Sequence, residues 1–195
     1  MTCIGLLLAA GASRRFGPSD KLLATVAELP LIAHAAQAMR ATALDDRIVV
    51  ISNPALTPWL DGFRIVLIPQ GQQSDSLRAG LAAAGDPDRL LIALGDMPDV
   101  TAAHLTAIVD RTADGLPSSS HDGSVPLPPA CFPRDWLLRL AQLTGDQGAG
   151  RLLRDLAPDR SVPAPGLLRD IDMPDQISAP LPGRSDNATG GCGGM

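Results

Sequence analysis

Four stretches of the chain gather residues suited to anion and metal chemistry. The first is 6–23, LLLAAGASRRFGPSDKLL. Gly11 and Gly17 carry no Cβ, so backbone amides there can approach an anion closely. Arg14, Arg15 and Lys21 add three positive charges to the same loop. A triphosphate suits such a cradle; a solvated basic connection between strand and helix fits the same residues. Neither the Walker lysine loop nor the three-glycine dinucleotide fingerprint occurs in it. The second stretch is Gly95-Asp96-Met97-Pro98. A carboxylate directly after an apolar run suits Mg2+, which takes one or two carboxylates together with phosphate oxygens and water; a turn or helix-capping aspartate is the alternative. The third, 169–175 (RDIDMPD), is an acidic run containing Asp170 and Asp172, otherwise an ordinary acidic turn. The fourth, 69–77 (PQGQQSDSL), supplies amides and hydroxyls around Gly71, groups able to read a Watson–Crick edge. Ser74 within it also stands where a helix N-cap belongs. His34, His104 and His121 read as surface or helix residues, and no Ser/His/Asp triad can be built from them.

The elements that must position these stretches follow from hydrophobic pattern. Ile4–Ala9 is a continuous apolar run, as in a strand buried on both faces. Arg47–Ser52, Phe63–Ile68 and Leu90–Leu94 are three more strands, rich in β-branched or aliphatic residues. Helices are expected over Pro30–Arg40, from Ser74 to Gly85, and from an N-cap at Thr101 to Asp110. Pro54–Leu60 suits one turn of helix. Strands alternating with helices point to a doubly wound α/β sheet, which binds ligands at the carboxyl ends of its strands. The loops at 10–21 and 95–98 both leave such ends. Beyond them, Leu116–Phe132 reads as an irregular strand pair, Pro133–Leu143 as a helix, Gly145–Leu156 as a loop running into a helix, and Leu167–Ile171 as a last strand. Residues 180–195 have little to bury and read as a disordered tail.

Composition bounds the rest. A chain of 195 residues can bury about 70% of its unfolded surface. Aromatics make up only 3%, so the core must come from Ala, Leu, Ile and Val. The net charge of −5 argues against nucleic acid or an anionic membrane as partner. Three scattered cysteines form neither a disulfide framework nor a zinc pattern. No apolar run approaches a membrane span, and the first residues lack a basic leader. A reducing cytoplasm is the expected compartment.

Leu8-Ala9-Ala10-Gly11, Ser13, Arg15, Phe16, Gly17 and Lys21 resemble the nucleotidyltransferase signature LAAGxSxRMGxxK. The form is that of the molybdenum-cofactor nucleotidyltransferases (MobA/MocA-like). Phe16 stands where Met is usual, and the spacing from Gly17 to Lys21 is one residue longer than the commonest form. Gly95–Pro98 resembles the family's GDxP metal motif. The 169–175 run resembles its closing DIDTPED motif, with Asp172 carried over as second metal ligand. Asp170, two residues away on a strand, should then face the other side, and Asp99 should cap the following helix. The 69–77 segment resembles the cytidylyl-type GxxxSL stretch. Gly123–Phe132 and Gly145–Leu153 resemble the acceptor half, although Gly150 separates Ala149 from Arg151 and the usual GHP histidine is not reproduced.

The resemblance covers about Met1–Ser178. It implies a Rossmann-like three-layer α/β/α fold with a mostly parallel mixed sheet, forming one domain over 1–179. It implies Mg2+-dependent transfer of CMP from CTP to the terminal phosphate of molybdopterin or its molybdenum form, with release of pyrophosphate. Lys21, Arg15 and Asp96 would be catalytic. Leu8, Ala9, Ala10, Gly11, Ser13, Gly17, Lys21, Gln70 and Ser76 would hold the nucleotide, and Asp96 and Asp172 the metal. Ala10, where guanylyl enzymes carry Gly, implies cytosine. A molybdenum hydroxylase would be the downstream client. Guanylyl transfer, transfer to a sugar or isoprenoid phosphate, and a non-catalytic cofactor carrier stay open.

Overall fold

The computed structural model describes residues 1–11, 16, 20–123, 125–145, 148–154 and 156–178. Ser13, Arg15 and Gly17, and the expected tail at 180–195, lie outside the described residues. β1 (Cys3–Ala9) is the central strand. A short hairpin, β2 (Thr25–Val26) and β3 (Leu29–Pro30), leads into α1 (Leu31–Arg40). β4 (Asp46–Ile51), a 3₁₀ segment at Pro54–Trp59, β5 (Arg64–Leu67), α2 (Gln73–Ala84), β6 (Arg89–Leu94) and α3 (Ala102–Arg111) complete the alternating half. β7 (Ser118–His121) and β8 (Pro126–Pro133) form the irregular pair. α4 (Leu137–Ala141), α5 (Gly150–Leu153) and β9 (Ser161–Pro163) follow.

One seven-stranded sheet runs in the order β5-β4-β1-β6-β8-β7-β9. β5, β4, β1 and β6 are parallel to one another, β8 is antiparallel to β6, and β7 to β8. The fold is thus an α/β sheet, as the alternation of strands and helices predicts, and a mixed, mostly parallel one, as the resemblance implies. The period-2 alternation of strands splits the core into two layers. Leu7, Ala9, Val49, Ile51, Leu91 and Cys131 face α1 and α3. Leu6, Leu8, Ile48, Val50, Ile92 and Phe132 face α2, α4 and α5. Most of these side chains are fully buried, worth about 1.5–3 kcal/mol each for the larger aliphatics. Because β4 and β5 lie on one side of β1 and β6 on the other, the chain reverses direction of winding between β1 and β6. Their carboxyl ends flank the crevice where such sheets take ligands.

Three local expectations need correction. Gln72, not Ser74, caps α2, in a reciprocal box with Asp75. Asp99 does not cap α3; Thr101 Oγ1 accepts from His104 N at 3.2 Å and does so instead. Leu167–Ile171 is not a strand, since β9 already occupies the sheet edge next to β7.

Candidate active site

The site begins where β1 and β6 end. Gly95 N donates to Leu8 O at 2.9 Å, so the loops leaving the two strands start side by side. A Cβ on Gly95 would lie 2.8 Å from Ile32 Cδ1 and 3.1 Å from Ala9 Cβ, so this approach needs glycine. Leu8, Ala9 and Ala10 are buried; a ligand at this strand end meets their backbone and not their side chains. Gly11 is exposed, with open space where a Cβ would stand.

Lys21 lies in the 3₁₀ turn Lys21–Leu23. Asp20 Oδ1 accepts from Leu22 N at 3.0 Å and caps the turn, while Asp20 Oδ2 accepts from Asn53 Nδ2 at 2.8 Å. Leu22 sits in the core below. Held from both sides, the buried Lys21 places its Nζ 2.8 Å from Asp96 Oδ2 and 2.8 Å from Asp172 Oδ1. Burial pulls the ammonium's pKa down, but the charge and hydrogen bonds of Asp96 and Asp172 outweigh it, and the net shift is upward from 10.5. Lys21 is therefore charged at neutral pH.

Asp172 reaches the site through a pinned irregular segment. Ile171 is fully buried, and its N–H donates to Asp96 O at 3.2 Å. Arg169 Nε donates to Asp99 Oδ2 at 2.7 Å and Nη2 to Asp99 Oδ1 at 3.3 Å. Gln176 Oε1 accepts from the N–H groups of Asp172 and Met173 at 2.7 and 2.8 Å. This geometry overturns the expected separation of Asp170 from Asp172. One carboxylate oxygen from each of Asp96, Asp170 and Asp172 lies within 4.8 Å of the others. Asp96 Oδ1 is buried and has no hydrogen-bond partner. An all-oxygen donor set with one buried carboxylate oxygen unpaired fits a hard divalent cation such as Mg2+ or Mn2+.

The remaining expected residues lie at the same end of the sheet. Gln70 is exposed in the β5–α2 loop, and Ser76 is buried in the first turn of α2. Ser74 N donates to Gly145 O at 3.1 Å, joining the start of α2 to the acceptor-like segment. The three histidines are engaged elsewhere. His34 Nε2 meets Val26 O, His104 Nε2 meets Ser120 Oγ, and His121 Nδ1 accepts from Gly123 N. Sequence reasoning names Asp170 in the acidic run but sets it on the wrong side; Asp20, Asn53, Arg169 and Gln176 are the residues of the site that it missed. Only Asp20 carried a local signal, as a capping residue directly before the lysine.

A family model, the MobA-like NTP transferase domain, matches residues 5–161. The chain belongs to that family. The matched stretch contains the basic loop and Asp96 and stops short of Asp172. Among curated proteins, the MobA-like chain is 34% identical over 128 residues to the bifunctional protein GlmU of Allorhizobium ampelinum, covering 58% of this chain and 27% of that protein. The chain spans about a quarter of the length of these curated relatives. Among solved structures, Rv0371c from Mycobacterium tuberculosis superposes with a TM-score of 0.79 at 26% identity, covering 90% of this chain and 96% of that one. The same protein in complex with manganese gives 0.77 at 25% identity, over 90% and 96%. As a member of the MobA-like NTP transferase family, the chain carries that domain on a Rossmann-like α/β fold.

Proposed function

We propose that this MobA-like NTP transferase moves CMP from CTP to the terminal phosphate of molybdopterin, or of its molybdenum form, and releases pyrophosphate. The observation that carries a triphosphate reading is the pairing of Asp96 and Asp172 across one buried ammonium, at the ends of β1 and β6. In this reading an acceptor phosphate oxygen attacks the α-phosphorus and the bond to the β-phosphate bridging oxygen breaks. The acceptor phosphate is already ionised at neutral pH, so the reaction needs no histidine base. That agrees with three histidines occupied in other contacts.

Each residue's task follows from its chemistry. The backbone at Leu8, Ala9, Ala10, Gly11 and Gly17, with the Ser13 hydroxyl, cradles the phosphates. Arg15 and Lys21 balance the charge that builds on the departing pyrophosphate. Gln70 and Ser76 read the base from the α2 side. Asp96 and Asp172 would hold Mg2+, with Asp170 beside them. When bound, the ion draws charge from the α-phosphate oxygens. Divalent binding is supported by the manganese complex of the Mycobacterium tuberculosis relative. Most of the rate would come from alignment of the two substrates and from charge stabilisation. The reading places the reaction in the cytoplasm, where the free, buried Cys3 and Cys131 suit a reducing environment, and makes a molybdenum hydroxylase the client.

Pyrophosphate release measured with molybdopterin and each of the four NTPs tests the reading. CTP should support turnover far above the others. A preference for GTP makes the enzyme a guanylyltransferase, and activity only with a sugar or isoprenoid phosphate moves the acceptor. Tight molybdopterin binding with no pyrophosphate from any NTP favours a carrier.

A further inference from the structure

Lys21 is the only lysine among 195 residues; the other fifteen long basic side chains are arginines. Its ammonium occupies the position between two of the carboxylates that would receive a metal, 2.8 Å from each. A compact ammonium fits between two carboxylates as a point charge, whereas a planar guanidinium spreads its donors in a fork. We infer that Lys21 acts as a resident cation, closing Asp96 and Asp172 to a divalent ion until a triphosphate arrives to take the ammonium over.

The argument is one of partner exchange. A metal entering alone must share or displace the ammonium, leaving a buried positive charge beside a dication. A triphosphate entering alone draws the ammonium away and takes from Asp96 and Asp172 the cation that each holds at 2.8 Å. Entering together, each relieves the other: phosphate oxygens receive Lys21 and the carboxylates receive the ion. Metal and nucleotide affinities are then linked, and linkage of this kind is reciprocal. The Asp20 cap and its bond to Asn53 hold the backbone of the turn fixed, so the exchange needs only rotation of the four-carbon stem. The hand-over half of this inference rests on the triphosphate reading above; the exclusion of metal does not.

Mn2+ titration followed by electron paramagnetic resonance tests the exclusion. Wild-type protein should bind Mn2+ weakly in the absence of nucleotide. Lys21→Met, with a stem of similar length and no charge, should bind it at least tenfold more tightly. Adding Asp96→Asn to that variant should remove the gain. Lys21→Met binding Mn2+ no more tightly than wild type overturns the inference. A second measurement needs no variant. Protein labelled with 15N-lysine carries a single ζ-amino resonance. Saturating Mg2+ alone should leave it in place, and Mg2+ with CTP should shift it. Movement with Mg2+ alone overturns the inference. If Lys21→Met gains Mn2+ affinity while CTP leaves the resonance still, the exclusion stands; the hand-over fails, and with it the role proposed for Lys21 at the triphosphate.

Discussion

Asp96 carries two different oxygens into the site: Oδ2 is tied to Lys21, while Oδ1 is buried and unpartnered. On the proposed reading, the unpartnered oxygen is the one a divalent ion would take, while Asp172 stays paired with Lys21 when Asp96 is removed. Asp96→Ala should cut pyrophosphate release by about 100- to 1000-fold or more, the scale of losing one preorganised electrostatic contact. The thermal midpoint should change by only a few degrees. Wild-type turnover in that variant, measured by a coupled pyrophosphate assay, would remove Asp96 from the metal site. The meeting of Lys21 with Asp172 joins residues 151 positions apart. No local pattern of charge or hydropathy encodes it, and only the likeness of two short motifs brought both to attention. The expected separation of Asp170 from Asp172 misapplied the strand period: residues two apart share a face, so even an extended backbone would set the two carboxylates on one side. In the irregular segment found here, side-chain direction is set by where each backbone N–H finds its acceptor. Ile171 N goes to Asp96 O and Asp172 N to Gln176 Oε1, and Asp170 joins the cluster.

At the scale of elements, long buried strands and capped helices were readable because their signals are local. β1, β4 and β6 are runs of aliphatic residues, and Thr101 caps α3 as expected. The β2–β3 hairpin was missed because its two-residue turn is Ala27-Glu28, with φ of +43° and +72°, and lacks the Asn-Gly or Asp-Gly pair that announces such turns. Two predictions belong here. Gly95→Ala would force a methyl to within 2.8 Å of Ile32 Cδ1. Overpacking of this kind costs about 1–3 kcal/mol, so denaturant unfolding should show that loss, together with reduced turnover as the Asp96 loop shifts. His104 is buried between α3 and β7, and burial lowers its pKa from 6.5. Ser120 Oγ donates to Pro129 O, so it accepts from a neutral imidazole Nε2–H. The unfolded chain binds this proton more readily than the folded one, so stability is full above pH 6.5 and declines as the pH falls below it. His104→Gln should flatten that decline; thermal melts of both proteins at pH 7, 6 and 5 give the comparison, and parallel curves would dismiss His104 as the cause.

Over the whole molecule, the sheet is complete before the site is. β1 to β8 assemble both core layers, whereas Asp170 and Asp172 arrive on a segment that follows β9 and docks through Ile171 and the Arg169–Asp99 pair. A chain cut after residue 166 should keep the sheet and its circular dichroism but lose divalent-metal binding and turnover; full activity in that truncation would take the closing segment out of the site. The docking order also has a consequence during translation. Asp96 leaves the ribosome long before Asp172, and at about 5–20 residues per second the gap is roughly 4–15 s. On the proposed reading, the nascent chain through that interval has its strands and Asp96 but lacks the second metal carboxylate, so it would not turn over a nucleotide. Prematurely terminated products would share that condition, and abortive synthesis would yield protein that is inert rather than wasteful of NTP.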